Sequence, residues 1–164
     1  MIILNKDQIR QKFKRMAIEM VERHADENEL VLIGILDKGT NVANQLKTAL
    51  KELSSIQCSI GQIRMNKKDP VSELVELNFK PAQLLNKSVI LVDDVSNSGR
   101  TLFYALGCLM NAKPKSIETA VLVERMHKRF PVGISYYGMR LATTLKDHIE
   151  VQTSSGEDWT VDLH

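Results

Sequence analysis

Residues Ser88 to Thr101 read SVILVDDVSNSGRT. Four apolar residues, Val89 to Val92, run into two adjacent carboxylates, Asp93 and Asp94. A loop of small polar residues follows, Ser96-Asn97-Ser98-Gly99-Arg100-Thr101, and then an apolar run from Leu102 to Met110. A short continuous apolar run that ends in turn formers reads as a buried strand, and the longer run after it reads as a helix. Gly99 lets the backbone turn tightly and approach a ligand closely. Ser98 and Thr101 carry hydroxyls that can cap a helix starting near Thr101. The free N–H groups and dipole of that helix start favour an anion. Side chains alternate along a strand, so Asp93 and Asp94 are expected on opposite sides, one toward a ligand and one supporting the loop. Acids suited to sugar hydroxyls or a metal, beside a loop suited to a phosphate, together match a sugar phosphate.

The flanking sequence supplies the rest of the fold. Gln8 to about Ala25 carries apolar residues at Ile9, Phe13, Met16, Ala17, Met20 and Val21, one helical stripe. Leu30 to Leu36 is a buried strand, turned by Asp37-Lys38-Gly39-Thr40 into a helix from about Asn41 to Leu53. Ile56 to Met65 and Leu74 to Phe79 read as two strands flanking a charged, turn-rich tip, Asn66 to Pro70. Ile117 to Val123 and Ile134 to Tyr137 are further short strands. Strands alternating with helices imply a central parallel sheet flanked by helices, here with a small hood hairpin. In such sheets ligands bind beyond the carboxyl ends of the strands. The loops Asp37 to Thr40, Asp93 to Thr101 and Glu124 to Pro131 are therefore expected on one rim.

Composition sets the outer bounds. With 164 residues, 43% hydrophobic and 26% charged, the chain has the material for one α/β domain over 1–164 with a real core. A net charge of +2 does not by itself argue for nucleic acid. No apolar run approaches the ~20 residues of a membrane span, and the start, MIILNKDQIR, has no signal-peptide pattern. Cys58 and Cys108 stand isolated in apolar surroundings and read as buried free thiols of a reducing, cytoplasmic compartment.

Other segments carry chemistry. Asp37-Lys38-Gly39 follows a strand and precedes a helix, with Lys38 adding charge and Gly39 allowing backbone N–H groups to face an anion. Glu124-Arg125-Met126-His127-Lys128-Arg129 follows a buried strand at the presumed rim. Tyr136-Tyr137-Gly138 can offer apolar surface and backbone groups to a flat base, and Tyr136 reads as packing. Lys14, Arg15, Arg23, Lys128 and Arg140 are candidates for a basic face, without the interleaved aromatic platform that single-stranded RNA uses.

VILVDDVSNSGRT resembles the PRPP-binding signature of the type I phosphoribosyltransferases. The likeness extends to the pyrimidine-operon attenuation regulators that are also uracil phosphoribosyltransferases. ILNKDQIRQKFKRMAIEMVER is similar to their first helix, LVLIGILDKGTNVANQL to their first strand, pyrophosphate loop and second helix, and SIETAVLVERMHKRFPVGISYYG to their base-binding end. The resemblance implies a single-domain type I phosphoribosyltransferase fold and PRPP-dependent transfer to a nucleobase, with uracil the favoured base and UMP the product. A purine phosphoribosyltransferase and a nucleotide-sensing RNA-binding regulator are the alternatives.

The resemblance also implies roles. Asp93 and Asp94 would hold ribose hydroxyls, directly or through water on the Mg²⁺ that PRPP carries. Ser96, Asn97, Ser98, Gly99, Arg100 and Thr101 would hold the 5-phosphate. Asp37, Lys38, Gly39 and Arg125 would meet pyrophosphate, and His127 and Tyr137 would lie near the base. A homo-oligomer, a dimer or larger, is implied, and RNA is a possible but unfavoured partner. The chain departs from the family where Asp37 and Lys38 replace Thr and Arg, where Met126 replaces Gly, and in a tip at 66–70 that looks short and basic. Ile18, Gly133 and Met139 replace the His, Arg and Lys usual on the RNA-binding face.

Overall fold

A computed structural model describes residues 1–142, 144, 147–153 and 158–164. The chain runs β1 (Ile2–Leu4), α1 (Lys6–Arg23), β2 (Glu29–Ile35), α2 (Lys38–Leu53), β3 (Gln57–Arg64), β4 (Glu76–Leu77), α3 (Pro81–Leu84), β5 (Ser88–Ser96) and α4 (Arg100–Met110). It continues with β6 (Ser116–Arg125), β7 (Tyr136–Leu141), β8 (Ile149–Thr153) and β9 (Trp159–Leu163). The main sheet has the order β4-β3-β2-β5-β6-β7. Its neighbours are parallel except β4, which pairs antiparallel with β3.

Alternation along β2 and β5 divides the core between the two faces of this sheet. Leu30, Leu32, Ile90 and Val92 pack with α1 and α2, while Val31, Ile33, Val89 and Leu91 pack with α3 and α4. Burial on both faces explains why these strands read as unbroken apolar runs.

Among the differences from the expectation, two concern boundaries that local bonds and pairing explain. Helix α1 begins at Lys6 because Asn5 caps it: the Gln8 N–H donates to Asn5 Oδ1 at 3.0 Å and the Asn5 N–H donates to Gln8 Oε1 at 2.9 Å, a reciprocal capping box. The expected strand at Leu74 to Phe79 shrinks to Glu76–Leu77, paired to Arg64 and Ile63. Turn bonds occupy the tip instead, with Asn66 Oδ1 accepting from the N–H groups of Lys68 and Asp69.

A third difference is an element beyond the expected strands. β1, β9 and β8 form a separate antiparallel sheet. Its inward residues, Leu4, Ile149, Val151, Trp159 and Val161, join the core on the α1 side. Trp159 meets Phe13 of α1 edge-on, with ring centroids 5.6 Å apart.

Candidate active site

The carboxyl ends of β2 and β5 open into a cleft of about 900 Å³. One wall is Asp93 to Leu102. The others are Lys38, the tip lysines Lys67 and Lys68, Arg129 and Phe130, and His148-Ile149-Glu150 from the outer sheet. The expected acids, the whole loop from Ser96 to Thr101, and Lys38 therefore share one cavity. Asp37, Gly39, Arg125, His127 and Tyr137 do not line it.

The two acids are held differently from the expected alternation. Asp93 and Asp94 are both buried, at 2% and 9% exposure, yet both face the same cation. Lys67 Nζ lies 2.8 Å from Asp93 Oδ1 and 3.9 Å from Asp94 Oδ1. Asp93 Oδ1 also accepts the Asp94 backbone N–H at 3.0 Å. Burial pushes the Asp93 carboxyl above the usual carboxylate range; the Asp94 charge adds to the rise, and Lys67 opposes it.

Gly99 has φ +85°, in the left-handed region that glycine enters without penalty. The nearest atoms to a side chain built there lie at 3.5 Å or beyond, so the backbone angle rather than crowding demands glycine. α4 begins at Arg100, one residue earlier than expected, and Gly99 is its N-cap with no side-chain bond. Thr101 already lies inside the helix. The Ser98 hydroxyl accepts from the Arg100 N–H at 3.4 Å, and the Ser98 carbonyl accepts from the N–H groups of Arg129 and Phe130 at 2.9 and 3.1 Å.

Lys128 ties this loop to the end of β6. Its ammonium donates to Ser96 Oγ at 2.8 Å, to the Arg125 carbonyl at 2.9 Å, and to the carbonyls of Ser96 and Asn97 at 3.3 Å each. Glu124 stands 3.6 Å from it. Burial lowers the Lys128 pKa, with Glu124 opposing. Lys128 therefore does not belong to an outer basic face, where its sequence neighbourhood suggests it. Nothing local distinguishes a lysine that turns inward onto carbonyls 31 and 32 residues away.

Three of the other four members of that basic face are also engaged. Arg140 pairs with Glu124 at 2.9 Å and lies over the Tyr137 ring at 4.1 Å. Arg15 pairs with Glu19 and donates to the carbonyls of Tyr137 and Gly138. Arg23 pairs with Glu118, which also accepts from the hydroxyl of the fully buried Tyr136. Tyr137, expected near a base, thus packs under two guanidinium groups. Arg125 reaches Asn97 Oδ1 at 3.4 Å and the Thr144 carbonyl, which braces the back of the loop, and His127 is exposed beside it.

Gly39 has a packing role that its place after a strand does not announce. It lies in the first turn of α2 in helical geometry, and a Cβ there would sit 2.6 Å from the Val92 carbonyl oxygen and 3.1 Å from Asp93 Oδ1. Its missing side chain lets α2 dock against the acid-bearing end of β5. The Leu36–Asp37 peptide preceding it is cis. Asp37 is exposed, makes no capping bond, and leaves Lys38 to pair with Glu150 of β8 at 3.6 Å. His148 and Glu150 escape a reading of the sequence because the outer sheet that carries them does.

The described residues contain no cluster of three or more His, Cys, Asp or Glu side chains able to hold a metal. The Asp93–Asp94 pair, already matched to a cation, has the oxygen donors that suit Mg²⁺ with several of its waters kept.

Comparison with known proteins agrees with this geometry. Residues 2–157 match the model of the phosphoribosyl transferase domain family. Bifunctional protein PyrR of Bacillus velezensis is 33% identical, covering 93% of this chain and 90% of the relative. That of Haemophilus ducreyi is 31% identical over 93% and 89% of the two chains. Among solved structures, the hypoxanthine phosphoribosyltransferase of Trypanosoma cruzi superposes with a TM-score of 0.77 at 19% identity, over 98% of this chain and 94% of that one. A hypoxanthine-guanine phosphoribosyltransferase of Bacillus anthracis gives 0.71 at 22%, over 86% and 82%.

Proposed function

The chain belongs to the phosphoribosyl transferase domain family, and on that premise we propose that it converts uracil and PRPP to UMP and pyrophosphate. The observation that carries the reading is a single cleft joining a buried acid pair, a glycine-turned loop at a helix start, and a lysine at the end of the neighbouring strand. Uracil is favoured over a purine by sequence: PyrR proteins match at a third identity over nearly the whole chain, whereas the purine enzymes share the fold at much lower identity.

Each residue has a role in this reading. The backbone N–H groups of 97–101 and the hydroxyls of Ser98 and Thr101 bind the 5-phosphate at the positive end of α4. Asp93 and Asp94 accept hydrogen bonds from ribose hydroxyls and stabilise positive charge growing on the sugar as pyrophosphate departs. Lys38 meets the leaving pyrophosphate once Glu150 releases it. Bound Mg²⁺ would neutralise charge on the phosphates of PRPP, held through Asp93 and Asp94. The base lies between Val95 and the outer-sheet wall at His148 to Glu150. The protein supplies position and electrostatics rather than a nucleophile.

Regulatory RNA binding is the weaker reading. Four of the five basic residues considered for it are bound to carboxylates or carbonyls of the same chain. A cytoplasmic setting agrees with free cysteines, of which Cys58 is pushed by burial to a pKa of about 11. No helix among the described residues is long and apolar enough to cross a membrane.

The test is nucleotide formation from PRPP with uracil, hypoxanthine, guanine, adenine and orotate in parallel. UMP formation from uracil alone is the expected result. Turnover of hypoxanthine or guanine without uracil would make this a purine enzyme.

A further inference from the structure

Lys67 stands 26 residues from Asp93 in sequence, on the turn-bonded tip between β3 and β4 rather than on the sheet. Its side chain is 34% exposed, whereas the Asp93 side chain it contacts is 3% exposed. The tip is fastened at a second point. The Arg100 guanidinium donates to the carbonyls of Lys67 and Lys68 at 3.0 and 3.1 Å. Arg100 is also the first residue of α4. The segment that shapes the phosphate loop therefore also holds down the tip that carries the cation.

Two adjacent buried carboxylates repel one another and repel any polyphosphate. Lys67 removes that obstacle with an ammonium reached from outside. A ligand that brings its own divalent cation makes this ammonium redundant, because both cations seek the same oxygens. Lys67 sits on a partly exposed turn and can leave; Asp93 and Asp94 sit on a buried strand and cannot.

We propose that Lys67 is a resident counter-cation of the acid pair, which exchanges with the metal carried by the substrate and covers the acids when metal-free ligand binds. This rests on the phosphoribosyl-transfer reading and goes beyond it: the inference concerns how this chain tolerates or demands metal on its ligand. With Lys67 present, metal-free PRPP meets an acid pair whose charge the ammonium partly offsets, and metal-bearing PRPP must displace the ammonium. The two forms then differ little in affinity. Without Lys67, metal-free PRPP meets bare carboxylates and metal-bearing PRPP meets no competitor.

The experiment is calorimetry of PRPP binding, in Mg²⁺ buffer and in EDTA, to the wild type, Lys67→Gln and Lys67→Arg, with melting temperatures taken without ligand. Lys67→Gln is expected to lose about tenfold or more in EDTA, the effect of one charge-assisted contact, and to bind equally or more tightly in Mg²⁺. Lys67→Arg should track the wild type. Arg100→Gln, which keeps the Lys67 charge but frees the tip, should widen the ratio of the two affinities in the same direction by less. Equal loss for Lys67→Gln in both buffers would make Lys67 an ordinary phosphate contact and overturn the exchange, as would no change in either. Wild-type protein that binds PRPP in neither buffer would remove the phosphoribosyl-transfer reading itself, and this inference with it.

Discussion

The loop at 96–101 and the tip at 66–70 line one cleft, and they are built in opposite ways. The loop continues β5, which is buried on both faces, and it is tied down by the Lys128 ammonium and by two N–H groups on the Ser98 carbonyl. The tip hangs from a two-residue strand, and its holds on the cleft are the Arg100 bonds and the Lys67–Asp93 pair. Labour is divided between them. The loop is set before a ligand arrives; the tip is held by charge that a ligand can replace.

Gly99→Val attacks the rigid side and should have the largest effect. A β-branched residue is strongly disfavoured at φ +85°, so the loop must change shape. Affinity for PRPP and UMP should fall together by on the order of a hundredfold or more, since both use the 5-phosphate. Wild-type UMP affinity in this variant, measured by calorimetry, would show that the phosphate lies elsewhere and undo the contrast at its firm end.

Lys128→Met tests whether the loop needs its tie. Charge-assisted bonds of this type contribute roughly 1.5–3 kcal/mol, so UMP affinity should drop about ten- to a hundredfold while the chain remains folded. An unchanged affinity in titration would mean that the loop holds its own shape.

Asp37→Thr with Lys38→Arg gives the triplet that the family resemblance implies, at the start of α2. On the proposed reading a guanidinium grips pyrophosphate with two parallel bonds, and the change also removes the Asp37 charge. Steady-state turnover should rise about tenfold, the effect of one additional interaction made only in the transition state, with little change in UMP affinity. Slower turnover would show that Asp37, Lys38 and Glu150 are a working arrangement of their own.

The smallest effect concerns the ground beneath the tip. Asp93 binds its proton more tightly folded than unfolded, because burial raises its pKa. Stability therefore falls as pH rises from the ordinary carboxylate range through the raised value. Asp93→Asn should melt a few degrees above the wild type at about pH 8 without ligand, and the gap should close toward about pH 4. The same change weakens the anchor of Lys67, so tip amides should exchange faster although the whole chain is more stable. A lower melting temperature under the same alkaline conditions would mean that the ion pair outweighs the burial of the charge.

Local order explains what is readable in the sequence. SVILVDDVSNSGRT carries strand, acids, loop and helix start in one unbroken run, and each part is decided by its neighbours in the chain. The outer sheet is the reverse. IEVQT and WTVDL do alternate, burying Ile149, Val151, Trp159 and Val161, but β1 has three residues and finds β9 at the far end of the sequence. Such pairing leaves no local trace, and His148 and Glu150 stay hidden with it. Lys128, Lys67 and Gly39 are visible as residues, but their tasks depend on what β5 brings beside them.

Trp159 is the single tryptophan of the chain. It is 6% exposed and rests on Phe13, while the strand paired to its own carries Ile149 and Glu150 into the cleft. The molecule therefore holds a built-in optical reporter of one seam. Emission at short wavelength signals an outer sheet seated on α1, and a red shift signals water entering there. Filling the cleft with UMP while following this one fluorophore separates a wall that stays put from a wall that swings, with no label attached.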